Sequence, residues 1–254
     1  MYQIYAPHEL TDERFTSVTK ELLHKCLTVY KTENKIRLGG KEDRGDGGYI
    51  IEDNLDYDIL ISAGIDNDVT FEKAFTEKYG VKCLAFDGES ADIAKKTCEG
   101  EDNITHIPKN VGDVNTNDCT DLKEYINKFH DVFLKMDIEG SEFSFINSLT
   151  ANELNRIKQI TIEFHFVDII HKWKMLEKLC DTHYLIHFHA NNNNKIMYNY
   201  NYKFIPAIFE CTYVRKSEIE NPQLNDVTLP IDLDRQNVPG LDFRFDCPPW
   251  VHKK

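Results

Sequence analysis

Short apolar runs alternate along this chain with stretches whose apolar positions recur at helical spacing, and the alternation repeats from about residue 58 onward. Before that point, residues 11–30 place Phe15, Val18, Leu22, Leu23, Cys26 and Val29 on one helical stripe, with Thr11 and Asp12 as candidate caps. Five glycines between Gly39 and Gly48 then call for turns, read either as a plain hairpin or as a loop facing a cofactor. Residues 59–62 form the first core strand. Its helix starts near Asp68, turns Phe71, Ala74, Phe75 and Tyr79 inward, and stops at Gly80. Further strands are predicted at 81–86, 104–111, 132–136, 160–162, 184–188 and 208–214. Helices are predicted at 90–100, through Leu122, Tyr125, Ile126 and Phe129, and over Ile169, Ile170, Trp173, Leu176 and Leu179. Such alternation predicts an α/β fold, a mostly parallel sheet with helices on both faces. One domain is expected over 1–254: a helix and glycine-rich hairpin (1–57), a Rossmann-like core (58–216) and an irregular C-terminal extension (217–254).

A length of 254 residues is enough to bury a large core without cross-links. The net charge of −13 argues against a nucleic-acid partner, which needs a basic face to displace counterions. Seven cysteines without CxxC spacing, three of them (Cys83, Cys180, Cys211) in apolar runs, predict a reducing compartment. The N-terminus has neither a basic start nor a long apolar run, so no signal peptide is expected. No apolar stretch approaches the ~20 residues of a membrane span, and a cytoplasmic protein without a membrane partner is the expectation.

Ligands of open parallel sheets bind beyond the carboxyl ends of the strands. The residues there are 62–68 after the first core strand, Asp87 after the second, Asp137 and Glu139 after the fourth, and Glu163 and His165 after the fifth. His187, His189 and a run of four asparagines follow the sixth. Asp87 lies about twenty residues beyond the glycine turn, where a carboxylate accepts ribose hydroxyls of either NAD or S-adenosylmethionine. The turn separates the two. A pyrophosphate needs G-x-G-x-x-G on a helix N-terminus, whereas here one glycine, Gly64, is followed by Asp66 and Asp68. Those carboxylates would repel a diphosphate and attract an ammonium and a sulfonium. The bland alternative is that Asp68 only caps its helix and Asp66 is solvated. Ser62, Gly64, Asp66, Asp87, Gly88 and Asp113 are the expected cofactor-side residues.

A second constellation, Asp137, Glu163, His165 and His189, could hold a hard divalent cation or work as an acid/base relay. Asp137, Glu163 and His189 are the expected metal ligands for Mg²⁺ or Mn²⁺, with His165 or His189 as base and Asp137 beside them. Glu163 and His165 could instead be a surface pair. His171 and His183 read as surface residues, and Glu142 as an acid favoured at a helix start.

Leu134-Lys135-Met136-Asp137-Ile138-Glu139-Gly140-Ser141-Glu142 resembles the L-K-x-D-x-E-G-x-E signature of FkbM-type S-adenosylmethionine-dependent methyltransferases. Other stretches fit in the same order: Asp46-Gly47-Gly48-Tyr49, Ser62-Ala63-Gly64-Ile65 with Phe71-Glu72, Phe86-Asp87-Gly88, Ile162-Glu163-Phe164-His165, 187–192 and Glu210-Cys211-Thr212-Tyr213. The resemblance spans roughly residues 36–240. It implies a seven-stranded methyltransferase sheet with an antiparallel last strand, and O-methylation of a small molecule, often a sugar in glycan, capsule or natural-product pathways. It places Gly64 and Asp87 at the cofactor and Asp137, Glu163, His165 and His189 at the acceptor; it does not require a metal. The missing G-x-G is a departure from many methyltransferases.

The leading expectation is therefore methyl transfer to a hydroxyl of a sugar or sugar nucleotide, with a homo-oligomer left open. A nicotinamide oxidoreductase, a metal-dependent hydrolase and a non-catalytic cofactor-binding module are the alternatives. Tyr198, Tyr200, Tyr202 and Phe204 could stack on a sugar or simply form an edge strand. Arg37, Lys41, Arg44, Arg215 and Arg235 are candidates for an acceptor diphosphate, though a solvated charge is the better reading of each.

Overall fold

The computed structural model describes residues 3–4, 18–40, 46–167, 170–194, 196–200 and 203–253. In chain order its elements are β1 (Gln3–Ile4), α1 (Lys20–Leu27), β2 (Lys35–Gly39), β3 (Gly48–Glu52), β4 (Ile59–Ala63), α2 (Thr70–Tyr79), β5 (Cys83–Phe86), α3 (Ala91–Thr97) and β6 (Ile104–Ile107). There follow β7 (Asn110–Val111), β8 (Cys119–Thr120), α4 (Lys123–Ile126), β9 (Val132–Met136), α5 (Glu142–Ser148), α6 (Ala151–Leu154) and β10 (Ile157–His165). The last are α7 (Ile170–Thr182), β11 (His183–Ala190), β12 (Ile196–Tyr200), β13 (Lys203–Pro206) and β14 (Ile208–Arg215).

Seven strands form the central sheet in the order β11-β14-β10-β9-β4-β5-β6. β10, β9, β4, β5 and β6 pair in parallel, and β14 runs antiparallel between β10 and β11. The α/β class, the mostly parallel sheet and the antiparallel last strand are thus as expected. Strand alternation sorts the apolar side chains into two cores. Leu60, Cys83, Ala85 and Phe133 meet Phe71 and Phe75 of α2 on one face. Ile61, Ala63, Leu134 and Met136 meet Phe143, Phe145, Trp173 and Leu176 of α5 and α7 on the other. Among the described residues no helix is long and apolar enough to cross a membrane.

Three elements differ from the sequence pattern. The N-terminal helix has Thr19 as its cap, accepting from the Leu22 N–H at 3.2 Å, while Thr11, Asp12 and Phe15 lie outside the described residues. The third predicted strand ends at Ile107, because Pro108 has no N–H for the ladder and the chain turns so that β7 pairs with β8. The fifth is much longer than predicted: all nine residues of β10 are buried. The β2–β3 hairpin covers its polar face and supplies polar partners. Gln159 exchanges two hydrogen bonds with the backbone of Glu52 (2.9 and 3.1 Å), and Thr212 of β14 donates to the Ile50 carbonyl at 2.6 Å.

The C-terminal segment packs on β11 through Phe245 and Trp250, whose rings lie 5.1 and 5.7 Å from that of Phe188. The glycine-rich region is indeed a hairpin, with Gly39 opposite Gly48, and its tip residues Asp46 and Gly47 also face a cleft at the strand ends.

Candidate active site

The end of β4 fixes the site. Gly64 has φ +77°, and a Cβ built there would lie 1.7 Å from the Asp137 carbonyl oxygen. Only glycine permits both the backbone conformation and the approach. The Gly64 N–H donates to the Phe86 carbonyl and the Asp137 N–H to the Ala63 carbonyl, each at 2.9 Å, so the ends of β4, β5 and β9 are tied together. Asp87, at the end of β5, turns its carboxylate onto that turn. Oδ2 accepts from the N–H groups of Ile65 (3.2 Å) and Asp66 (2.8 Å), while Oδ1 accepts from Ser90 at 2.9 Å.

Beneath the turn lies a buried network. Lys135 donates to the Gly64 carbonyl and sits 3.7 Å from Glu72, which also accepts from Ser62 at 2.5 Å. Glu72 is 1% exposed, and the ammonium is its only cationic partner among the described residues.

A cleft of about 860 Å³ opens above this floor, and Gly64, Asp66, Asp68, Asp87, Asp113, Lys135 and Asp137 are among its lining residues. Beside it is a smaller cavity of about 310 Å³ lined by Asp137, Glu139, Glu163, His165, Asn191, Asn237 and neighbours. Asp46, Asp137 and Glu139 border both. Three strand-end loops around them carry a non-glycine residue at positive φ: Asp66 (39°), Glu139 (55°) and Phe166 (56°). Each such residue costs about 1–3 kcal/mol, a strain that concentrates at functional sites.

His165 is the centre of the smaller cavity. Its Nδ1 lies 3.0 Å from Glu142 Oε1, and its Nε2 lies 3.3, 3.4 and 3.9 Å from carboxylate oxygens of Glu163, Glu139 and Asp137. Burial opposes a charge on the ring, but Glu142 and Glu163 outweigh it and lift the imidazole to about 10. Burial raises the Glu163 carboxyl to about 8 against the pull of His165. Burial also raises Asp137, to about 6, with Lys135 and His165 pulling it back. Asn191 donates to both Glu163 oxygens at 3.2 Å.

The expected site residues divide on this geometry. Gly64, Asp66, Asp87 and Asp113 line the larger cleft, and Asp137, Glu163 and His165 meet at the smaller one. Ser62 is wholly buried below the turn with Glu72 as its partner, so it supports the cleft and does not line it. Gly88 is likewise absent from the lining; its N–H donates to Asn110 at 3.2 Å. His189 is displaced from the metal set. β14 separates its strand from β10, and its two nitrogens face Glu210 at 3.4 Å and Asp242 at 3.0 Å. His165 takes that place, with one ligand atom each from Asp137, Glu163 and His165 within 4.8 Å of one another.

Other expectations change as well. His183 is 1% exposed and bonded to the Ile157 carbonyl at 2.8 Å, contrary to its surface reading. The helix cap is Val69, not Asp68, which sits one residue earlier, accepts from the Thr70 N–H at 2.8 Å and faces the cleft. Tyr198 packs in the core on the β12–β13 hairpin, and Tyr202 lies outside the described residues, as do Lys41 and Arg44. Arg215 is taken by Asp131 and Glu218 (2.8 and 2.7 Å).

Sequence reasoning gave no role to Lys135 or Glu72, and placed Asn191 at the strand ends without its partner Glu163. The signal for Lys135 was a cation inside the apolar run of β9, and for Glu72 an acid beside the inward-facing Phe71. Glu142, read as helix-start chemistry, accepts from Gly140 N–H (3.0 Å) and also holds His165.

Comparison with known proteins bears on this geometry. Residues 33–204 match the model of the methyltransferase FkbM domain. No curated protein matches the sequence. Similar solved structures include an rRNA methylase from Streptococcus thermophilus (10% identity, 63% of this chain and 88% of that one, TM-score 0.39). Also similar is the Methanococcus jannaschii fibrillarin pre-rRNA processing protein (11%, 72% and 87%, TM-score 0.41). A third is precorrin-6y C5,15-methyltransferase from Geobacter metallireducens (13%, 65% and 83%, TM-score 0.36). With two thirds of its length under one family model, the chain belongs to the FkbM family and is an S-adenosylmethionine-dependent methyltransferase.

Proposed function

We propose that the chain transfers a methyl group to a hydroxyl of a sugar or nucleotide-linked sugar, in the biosynthesis of a capsule, another glycan or a natural product. The observation that carries this reading is the position of Asp137, which borders both the larger cleft and the acid-lined cavity beside it. A donor in one and an acceptor in the other would meet at this residue.

The larger cleft suits S-adenosylmethionine. Gly64 lines it with its backbone fixed against Asp137, and Asp66, Asp68, Asp87 and Asp113 favour a cationic ligand over a phosphate. Asp87 accepts three backbone N–H groups, and a carboxylate with about four lone-pair sites retains capacity for a ribose hydroxyl. When bound, the cofactor supplies an electrophilic methyl group on a positively charged sulfur.

On the acceptor side the cavity presents carboxylates, an imidazole and asparagine amides, with no lysine or arginine among the described residues of its lining. That inventory matches neutral hydroxyls, which donate and accept, and it keeps a diphosphate outside. Asp137 Oδ1 is buried without a hydrogen-bond donor among the described residues, which suits it to receive an acceptor hydroxyl or a cation that activates one. Mg²⁺ or Mn²⁺ belongs to the same proposal, since a bound cation lowers the pKa of a coordinated hydroxyl. Residues 1–57 and 217–254 are proposed to work with the core as one domain, because Asp46, Gly47, Asn237 and Val238 contribute to the cavities.

The test is incubation with methyl-labelled cofactor and a panel of free sugars, nucleotide sugars and amines. Label on a sugar oxygen is expected; transfer confined to amine acceptors would overturn the assignment to O-methylation.

A further inference from the structure

We infer that Asp137, Glu163 and His165 form a divalent-cation site of the Mn²⁺ type, and that Glu142 and Asn191 hold two of these ligands in position. The catalytic use of such a cation rests on the methyl-transfer reading, whereas its binding does not.

The separations fit one ion. Neighbouring ligands of a six-coordinate cation with bonds of about 2.1–2.3 Å lie roughly 3.0–3.3 Å apart. His165 Nε2 is 3.3 Å from Glu163 and 3.9 Å from Asp137, and all three ligand atoms lie within 4.8 Å of one another, about the span of one coordination sphere. The exposed Glu139 carboxylate, 3.4 Å from Nε2, stands where a further ligand can enter.

The surrounding residues fix the donors. A metal-binding imidazole characteristically gives its other ring N–H to a carboxylate, which sets tautomer and orientation. Glu142 plays that part toward His165 Nδ1 at 3.0 Å, and is itself wholly buried and held by the N–H groups of Gly140 and Ile138. The ring therefore presents Nε2 to the carboxylates and cannot turn away. Asn191 bridges both oxygens of Glu163 in the same supporting sense.

Two observations separate this cluster from an ordinary acidic patch. Glu163 and His165 are only 5% and 3% exposed, so water does not screen them freely. Asp137 Oδ1, buried and without a hydrogen-bond partner among the described residues, lies 3.9 Å from His165 Nε2. Four carboxylates (Asp137, Glu139, Glu142, Glu163) surround one imidazole, while the nearby Lys135 is engaged by Gly64 and Glu72. A second positive charge is what this geometry favours. One nitrogen with two or more carboxylates suits Mn²⁺ better than Mg²⁺, which prefers oxygen and a near-ideal octahedron.

The experiment titrates MnCl₂ into the metal-stripped full chain, without cofactor or acceptor, and follows loss of the free-Mn²⁺ paramagnetic resonance signal. One bound Mn²⁺ per chain is expected, weakened at least tenfold in Glu163→Gln and His165→Gln and about 10–100-fold in Glu142→Gln. His189→Gln should bind as the parent does. Absence of binding at millimolar metal, or affinity in Glu163→Gln and His165→Gln equal to the parent's, overturns the site; Asp137→Asn serves if either variant fails to fold. Calorimetry with S-adenosylhomocysteine is run alongside. Cofactor binding without Mn²⁺ binding removes the cation and leaves methyl transfer standing. Mn²⁺ binding without any methyl transfer supports the cation site while removing the function proposed for it.

Discussion

Gly64 and Asp137 are packed so closely that the space for a Cβ on the first is occupied by the carbonyl oxygen of the second, 1.7 Å away. The contact joins the two halves of the site, since one residue heads the cofactor turn and the other borders both cavities. Gly64→Ala has no relaxed solution: its φ of +77° already costs a side-chain-bearing residue about 1–2 kcal/mol, and the clash adds to it. A stability loss of at least about 2 kcal/mol in chemical denaturation is expected, with S-adenosylhomocysteine affinity falling more than tenfold.

Asp87 holds the turn from the other side. Removing its carboxylate leaves the N–H groups of Ile65, Asp66 and Ser90 without their acceptor. Asp87→Ala is expected to weaken cofactor binding by about 1.5–3 kcal/mol, the scale of hydrogen bonds to a charged group. Asp87→Asn, which keeps one oxygen acceptor, should lose less. Calorimetric titration of both variants checks the order, and unchanged affinity in Asp87→Ala would remove the residue from the cofactor site.

Lys135 balances Glu72 at the floor of the cleft, where the two side chains are only 7% and 1% exposed. Lys135→Met should destabilise by about 3–5 kcal/mol, because it leaves a buried carboxylate unpaired. The double variant Lys135→Met with Glu72→Gln should recover much of that loss, since no charge is then stranded. Thermal unfolding of the two single variants and the double measures the coupling; strict additivity would count against a working pair.

His183 makes acid stability testable. Burial holds its imidazole down to about 4, against about 6.5 in an unfolded chain. Between those values the unfolded state binds more protons, so this residue removes stability as pH falls from 6.5 toward 4. Relative to pH 7.5, the parent at pH 4.5 should lose about 2 kcal/mol more than His183→Gln, which retains a donor for the Ile157 carbonyl. Urea denaturation at the two pH values gives the difference. Equal losses would mean that His183 titrates normally.

The amino-acid sequence was enough for the sheet and its ligand edge. Apolar runs at 59–62, 81–86 and 132–136 can only be buried strands in such an alternation, and polar residues just after them must gather where parallel strands end. Gly64 and Asp87 were legible for that reason, and so was the acid pair Asp137 and Glu163. What the chain could not reveal by itself depends on contacts between distant segments. The β2–β3 hairpin covers the polar side of β10 through Gln159 and Glu52. Histidines 165 and 189 were equivalent in sequence, both near strand ends on an alternating face. Insertion of β14 between β10 and β11 separated them, giving His189 to Glu210 and Asp242 and leaving His165 with Glu142, Glu163 and Asp137. Periodicity reports which face a side chain occupies, but strand order across the sheet determines its neighbours, and charge pairing over a few ångströms follows from those neighbours alone.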